Sequence, residues 1–472
     1  MEYIMKSNLI FNVDSYKHAH FLQYPKNTEY VNSYIEPRGK KESRFIQTMM
    51  FGLQAFIKEY LVGQVVTQEM IDEADELIGK HGVPFNKAGW EYILREHDGK
   101  LPVEIYAVPE GTVVDNGNVL VQIRNTDSKC YWLTSFLETS LLRAIWYPST
   151  VATNSWMMKK LIKKYLVKTS DDASGLGFKL HDFGYRGVSS METGELGGLA
   201  HLVNFQGTDT MGALVAARKY YGADCAGFSI PASEHSTITS WGKDNEVEAY
   251  ENMLKQFAKP GSLVAVVSDS YDIWNACENI WGNELKQKVI DSGATVIVRP
   301  DSGDPVDTPV RVIEVLMQKY GYTINSKGYA VLNNVRVIQG DGIGYDEVKQ
   351  ILERLTKNGI STDNIAFGMG NNLLQELTRD TLNFSMKCSE ITIAGQSRDV
   401  FKESPGKKSK KGRLALVRRD GKYKTIREDQ LITGSHGKEK NNLTPVFRDG
   451  ELLLDESLDQ IREIGRASCR ER

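Results

Sequence analysis

The sequence predicts an α/β fold: a parallel α/β barrel, closed or nearly so, over residues 146–384, with a β-rich domain built from residues 1–145 and 385–464. Three observations predict it. Short runs of branched apolar residues recur through the middle of the chain, and each ends in Gly, Asp, Ser or Arg. Between them lie stretches with apolar residues three and four apart. On both flanks this grammar gives way to short alternating segments with EG, NG and DG turns.

The strand runs are GFKLHDFGYRG (177–187), SLVAVVSDSYD (262–272), ATVIVRPDSGDP (294–305), VRVIQGDGI (335–343) and NIAFGMGNN (364–372). Short β-rich runs bounded by turn residues read as strands. The helical stripes are Val247, Tyr250, Leu254 and Phe257; Val310, Ile313, Met317 and Tyr320; and Val348, Ile351, Leu352 and Leu355. Each paints one face that can pack on a sheet. Strands alternating with helices imply parallel pairing, because parallel strands need crossover connections. In such folds ligands bind at the carboxyl ends of the strands, and all five polar turns lie there. Residues 98–125, with their EG and NG turns, read as antiparallel strands, and 390–455 again read as β-rich. FKESPGKKSKKGR (401–413) reads as a basic loop. GRASCRER (465–472) is set aside as a disordered tail or cloning scar.

Composition narrows the class. With 41% hydrophobic and 25% charged residues, the 472-residue chain has the make-up of a soluble globular protein. A net charge of −3 gives no attraction to nucleic acid. There is no run of 18 apolar residues to span a membrane, and the start, MEYIMKSNLIFNVDSYK, lacks the pattern of a signal peptide. Five scattered cysteines without CxxC spacing argue against a disulfide framework or a zinc site and point to the cytoplasm.

The barrel mouth collects opposite charges. Arg186, Arg299, His235, Arg379 and Lys387 supply positive charge; Asp269, Asp301 and Asp341 supply carboxylates. Carboxylates beside glycines suit Mg²⁺ or ribose hydroxyls. Glycine turns after strands, at Gly340 and at 368–370, let backbone N–H groups approach phosphate. Any one Asp–Gly pair reads better as a plain turn, but five at equivalent strand ends describe a site for a phosphorylated sugar. His235, beside Glu234, can act as base or nucleophile, including toward phosphate. It can equally be a satisfied polar residue with Glu234 capping a helix. No GxSxG elbow supports a serine hydrolase. Phe183 is either a wall for a flat heterocycle or core. Asp14, Ser15 and Tyr16 stand where no periodicity requires them.

In order, DSYKHAHFLQYP, HDFGYRGVSS, VNFQGTDT, PASEHSTITSWG, VVSDSYDIWNACE, IVRPDSGDP, VIQGDGI and LLQELTRD resemble the nicotinamide phosphoribosyltransferase family, from about residue 8 to 460. The resemblance implies a type II phosphoribosyltransferase, a homodimer with an irregular α/β barrel and active sites shared between subunits. It implies transfer of phosphoribosyl from 5-phosphoribosyl 1-diphosphate to nicotinamide, with Mg²⁺ required and ATP hydrolysis coupled through a phosphohistidine at His235. By motif, Phe183 and the other subunit's copy of Tyr16 sandwich the pyridine ring, Arg186 lies beside it, and Asp209 accepts the carboxamide N–H₂. Asp301, Gly340 and Asp341 hold the ribose. Gly370, with Arg379, Ser385 and Lys387 of the other chain, holds the 5′-phosphate. Asp269 and Asp301 organise Mg²⁺ and diphosphate, assisted by Arg38, Lys402 and Lys407 of the other chain. Arg299 belongs to the same catalytic group.

The sequence departs from the family at Asn371 and Asn372, where glycines usually stand; Asn tolerates left-handed backbone. The basic loop 401–413 is also shorter than in vertebrate enzymes. Three other readings compete. A nicotinate phosphoribosyltransferase is disfavoured by Asp209, a binding protein without activity by Asp269, Arg299, Asp301 and His235 together, and an aldolase-like barrel by the lack of a Schiff-base Lys or metal-binding His cluster.

Overall fold

The computed structural model describes residues 8–404, 407–432 and 439–470. The chain forms two compact units, one of Met1–Thr153, Lys219–Ala223 and Thr378–Arg472, the other of Asn154–Arg218 and Asp224–Leu377.

The second unit is built on a six-stranded parallel sheet, in the order Gly207–Thr208, Leu180–Asp182, Ile365–Met369, Val335–Gln339, Thr295–Arg299, Leu263–Val267. One irregular segment touches both edges: Phe228 bridges to Gly207 and Ala232 to Ala265, both in parallel. The N–H of Thr208 donates to the Phe228 carbonyl at 3.1 Å, and that of Ala265 to the Pro231 carbonyl at 3.0 Å. Pro231 has no N–H to donate, so this segment closes the barrel by single bridges and not by a full ladder. All five sequence-read strands are present. The sixth, Gly207–Thr208, is too short to show a period.

The strands bury Val264, Val266, Val296, Val298, Val335 and Val337 completely. Helices Asp307–Tyr320 and Tyr345–Lys357 bury the stripes read from the sequence. Helix Glu246–Phe257 is rotated: Ala249, Tyr250, Met253 and Leu254 face inward, while Phe257 is 40% exposed. The stacking of Tyr250 on Trp281, with centroids 4.9 Å apart and planes at 3°, fixes that rotation.

The first unit carries a seven-stranded antiparallel sheet ordered Gln396–Asp399, Phe384–Ile393, Thr28–Pro37, Val121–Asn125, Val103–Ala107, Thr444–Arg448, Glu451–Leu452. Segments from both ends of the chain thus interleave. The buried side chain of Asn32 donates to Ser389 Oγ at 3.0 Å, so even the polar pairing inside this sheet links distant segments. Within the basic loop, Glu403–Ser404 pairs with Lys407–Lys408. The last helix, Leu458–Arg470, buries Leu458 and Ile461 and carries on past residue 465, where the sequence reading ended the fold. No described helix is long and apolar enough to cross a membrane.

Candidate active site

Phe183 follows the strand Leu180–Asp182, and its N–H donates to the Met369 carbonyl at 3.0 Å. Its ring lies on two glycine turns. A Cβ on Gly368 would meet the ring at 1.9 Å and one on Gly340 at 3.0 Å. Those glycines are what allow a phenyl ring to lie flat over the strand ends. Beneath it Asp182 is fully buried and accepts the Gly184 N–H at 2.8 Å. Burial pushes its carboxyl up, against hydrogen bonds from Gly184, Thr210 and Thr208.

Beside Phe183 stands His181, with ring centroids 5.3 Å apart. His181 Nε2 lies 3.1 Å from Asp209 Oδ1, to which the Ser229 hydroxyl also donates. Burial would raise the Asp209 carboxyl, but the hydrogen bond and charge of His181, the Ser229 hydroxyl and the Arg299 charge outweigh it and hold the pKa below its ordinary value. Asp209 is therefore an ionised acceptor at the end of the two-residue strand.

A second constellation adjoins the first through Arg299, whose guanidinium carbon is 5.9 Å from the Phe183 ring centre. Arg299 grips Asp301 through both oxygens, Nε to Oδ1 at 3.0 Å and Nη2 to Oδ2 at 2.7 Å. His235 Nε2 lies 3.0 Å from Asp269 Oδ1, and its Nδ1 is 3.8 Å from Asp301 Oδ2. The Ser302 hydroxyl donates to the other Asp269 oxygen. Asp269 is 4% exposed at its side chain and His235 45%, so a buried carboxylate orients an accessible imidazole. Glu234 takes the capping role left open for it. It is the N-cap of helix His235–Thr239, and its N–H donates to Thr237 Oγ1 at 3.2 Å.

Gly340 and Asp341 follow the strand Val335–Gln339, and the Asp341 carbonyl accepts from the Gln339 side chain at 2.8 Å. Gly370 caps the helix Asn371–Leu374. Asn371 and Asn372 need no left-handed backbone there: neither has positive φ, and both are helical. Arg186 is exposed on the 3-10 turn Tyr185–Gly187.

Arg379, read from the sequence at the barrel mouth and within the barrel segment, belongs instead to the first unit, because the chain leaves the barrel after Leu377. Lys387, also read at the mouth, lies in that unit, within the segment 385–464 read as β-rich. Tyr16, Arg38, Ser385, Lys402 and Lys407 lie in that unit too. Lys387 is held below its ordinary pKa by burial and by the nearby charges of Arg38, Lys402 and Arg379, partly offset by Glu138. Four cations thus gather around one strand. On the same face, two residues away, the buried Ser385 hydroxyl has no hydrogen-bond partner among the described residues. The Lys407 side chain lies outside the described residues. Tyr16 is 58% exposed on the 3-10 helix Ser15–Leu22, while its neighbour Lys17 is buried and pairs with Glu138 at 2.6 Å. His20 Nδ1 lies 2.9 Å from Ser135 Oγ, and the Thr139 hydroxyl donates to Asp14 at 2.6 Å.

His181, Ser229 and Ser302 join the site without belonging to any of the sequence's candidate site residues. A histidine inside a three-residue buried strand was the available signal for the first. The two serines gave none.

Residues 178–451 match the nicotinate phosphoribosyltransferase (NAPRTase) family, and residues 8–105 match the N-terminal domain of nicotinamide phosphoribosyltransferase. Over 461 residues the chain is 51% identical to a nicotinamide phosphoribosyltransferase of Xanthomonas campestris pv. campestris, covering 96% of this chain and 97% of that one. It is 32% identical over 493 residues to a nicotinamide phosphoribosyltransferase of Acinetobacter baylyi, covering 96% and 95%. Two solved structures share the fold. The nicotinate-nucleotide pyrophosphorylase of Pyrococcus furiosus has a TM-score of 0.64 at 15% identity, covering 100% and 98%. Human nicotinic acid phosphoribosyltransferase has a TM-score of 0.59 at 16% identity, covering 97% and 93%. The chain is a pentosyltransferase and belongs to the nicotinate phosphoribosyltransferase family, in its nicotinamide phosphoribosyltransferase branch.

Proposed function

We propose that this protein joins nicotinamide to 5-phosphoribosyl 1-diphosphate, giving nicotinamide mononucleotide and diphosphate in NAD salvage. The observation that carries the choice of base is the ionised Asp209, tied to the His181 that flanks the Phe183 ring. A carboxylate there accepts the carboxamide N–H₂ and repels the carboxylate of nicotinate. Phe183, seated on Gly340 and Gly368, presents a flat face for the pyridine ring, and Arg186 stands at the same strand end.

The reaction is displacement at ribose C1. The pyridine nitrogen carries no proton, so no strong base is needed. Stacking aligns that nitrogen with C1, a positioning effect. Asp301, with Gly340 and Asp341, orients the ribose, and Arg299 fixes Asp301 through both its oxygens. Asp269 and Asp301 offer hard oxygen donors on either side of one imidazole. That suits Mg²⁺, which binds through one or two carboxylates plus phosphates. When bound, Mg²⁺ supplies positive charge against the diphosphate that departs.

His235 is the acceptor of the γ-phosphoryl group in the ATP-coupled reaction. Asp269 holds the Nε2 proton and so fixes the imidazole tautomer. The protein acts as a cytoplasmic homodimer. Arg38, Arg379, Ser385, Lys387, Lys402 and Lys407 of one subunit serve phosphate groups bound in the other's barrel, and Tyr16 stacks on the other face of the pyridine. The cation cluster and the unpartnered Ser385 hydroxyl support this reading.

The test is product formation by purified protein with 5-phosphoribosyl 1-diphosphate and Mg²⁺, offered nicotinamide or nicotinate, with and without ATP. Nicotinamide mononucleotide in strong preference, stimulated by ATP, is the expected result. Preference for nicotinate moves the protein to the sister activity. Absence of both products from folded protein sinks the reading.

A further inference from the structure

Away from the barrel, one group of metal-ligating side chains comes together among the described residues. His97 is the C-cap of helix Lys87–Glu96; Asp127 is the N-cap of the 3-10 turn Ser128–Cys130, and Cys130 is its last residue. A ring nitrogen of His97, a carboxylate oxygen of Asp127 and the sulfur of Cys130 lie within 4.8 Å of one another. No CxxC spacing marks this group, because its ligands come from three different residue types. The cysteine pattern therefore argued against zinc while one cysteine already had two ligating neighbours.

The group is organised. His97 Nε2 lies 2.8 Å from Asp127 Oδ2, and the Tyr92 hydroxyl donates to that same oxygen at 2.9 Å. The other oxygen, Oδ1, accepts the Lys129 N–H at 2.8 Å. Both carboxylate oxygens are thus oriented, one of them by a phenol outside the ligand set. Outer partners of this kind fix ligands in metal sites. The group also has an entry path. Cys130 is buried and free, while the His97 and Asp127 side chains are 25% and 20% exposed. Those two line a surface cleft together with Tyr30, Thr126, Ser128, Asp449 and Arg448, whose guanidinium is paired with Glu104 and Asp449.

We infer that His97, Asp127 and Cys130 form a binding site for Zn²⁺. Sulfur, imidazole nitrogen and carboxylate oxygen together are the donor set of that ion, and hard cations such as Mg²⁺ and Ca²⁺ do not take the thiolate. At zinc bond lengths, tetrahedral nitrogen and oxygen ligands stand about 3.3 Å apart. The 2.8 Å contact between His97 and Asp127 opens by about half an ångström to admit the ion. Cys130 gives up its thiol proton to solvent as the sulfur–zinc bond forms, and water from the cleft fills the fourth position. The bound ion ties the end of helix Lys87–Glu96 to the turn at 128–130.

The experiment is Zn²⁺ and Co²⁺ titration of the full-length protein, with bound metal read by elemental analysis and the Co²⁺ form by its absorption spectrum. The expected result is about one zinc per chain and a thiolate-to-cobalt charge-transfer band. The band disappears in Cys130→Ser and persists in Cys225→Ser, which removes an exposed thiol. Affinity falls at least about tenfold in His97→Gln and roughly ten- to hundredfold in Tyr92→Phe, which removes only the outer hydrogen bond. Circular dichroism shows that each variant is folded. If Cys130→Ser fails to fold, His97→Gln, at a partly exposed position, makes the same comparison. Absence of stoichiometric zinc, a cobalt spectrum without the thiolate band, or affinity unchanged in His97→Gln each overturns the site.

Discussion

His181 Nε2 and Asp209 Oδ1 stand 3.1 Å apart, and the Ser229 hydroxyl donates to the same oxygen. The carboxylate proposed to select the base is therefore held in place from two sides. Asp209→Asn keeps the shape but removes the charge. It lowers kcat/KM for nicotinamide by ~1.5–3 kcal/mol, roughly ten- to hundredfold, and raises nicotinate relative to it. Because the Asp209 pKa is lowered, the wild-type preference persists as pH falls through the ordinary aspartate range and is lost only below it. Paired assays with both bases across acidic pH check this. An unchanged ratio in the variant removes Asp209 from recognition.

The seat of Phe183 makes a graded prediction. A methyl on Gly368 meets the ring at 1.9 Å, one on Gly340 at 3.0 Å. Gly368→Ala must displace the ring, whereas Gly340→Ala only crowds it. KM for nicotinamide rises in both and more in Gly368→Ala, where overpacking costs ~1–3 kcal/mol. Equal effects from steady-state kinetics contradict the stacking role.

The proposed sharing of sites between subunits predicts complementation. Asp301→Asn disables the barrel unit and Lys387→Ala the cation cluster of the other unit, so each variant alone is nearly inactive. Co-expressed, they form mixed dimers with one intact site, and activity recovers to about a quarter of wild type. A mixture as inactive as its parents shows that each chain completes its own site.

Glu110 predicts a pH dependence of stability. Its Oε1 accepts the N–H groups of Gly52 and Gln54, each at 2.9 Å, and its Oε2 the Tyr221 hydroxyl at 2.7 Å. Burial pushes its carboxyl up to about 7, although the Gln54, Tyr221 and Gly52 hydrogen bonds pull downward. The folded pKa lies above the unfolded one, so the folded protein keeps a proton that the unfolded chain releases between about 4.5 and 7. Stability falls as pH rises through that window, by up to ~3 kcal/mol from this group. Glu110→Gln cannot ionise and loses that slope. Denaturant unfolding of both proteins at about pH 5 and about pH 8 reads the difference. Parallel curves reject the assignment.

The barrel was legible because its strands are short apolar runs ending in turn residues and its helices repeat with a period of 3.6, and both survive in a single sequence. What escaped lies in contacts without a period. Gly207–Thr208 is too short to register as a strand, yet it carries Asp209. Phe257 fits the helical stripe, but Tyr250 stacking on Trp281 turns it outward. The glycines under Phe183 come from two other strands, so only the folded sheet shows why they lack side chains. Asn371 and Asn372 raised the question of left-handed backbone, and the helix that begins at Asn371 removes it.

The interleaved sheet orders events on the ribosome. Strand Thr28–Pro37 emerges early and can pair with Val121–Asn125, but its other neighbour, Phe384–Ile393, is made only after the whole barrel. The Asn32–Ser389 hydrogen bond spans 357 residues of chain. Pairings of such separation close late and slowly. A nascent chain can finish the unit ending at Leu377 while Thr28–Pro37 still shows an open edge of unpaired backbone N–H and C=O groups. Shielding that edge until synthesis is nearly complete is a task for the folding machinery of the cell. Chains cut short before residue 384 leave it open for good.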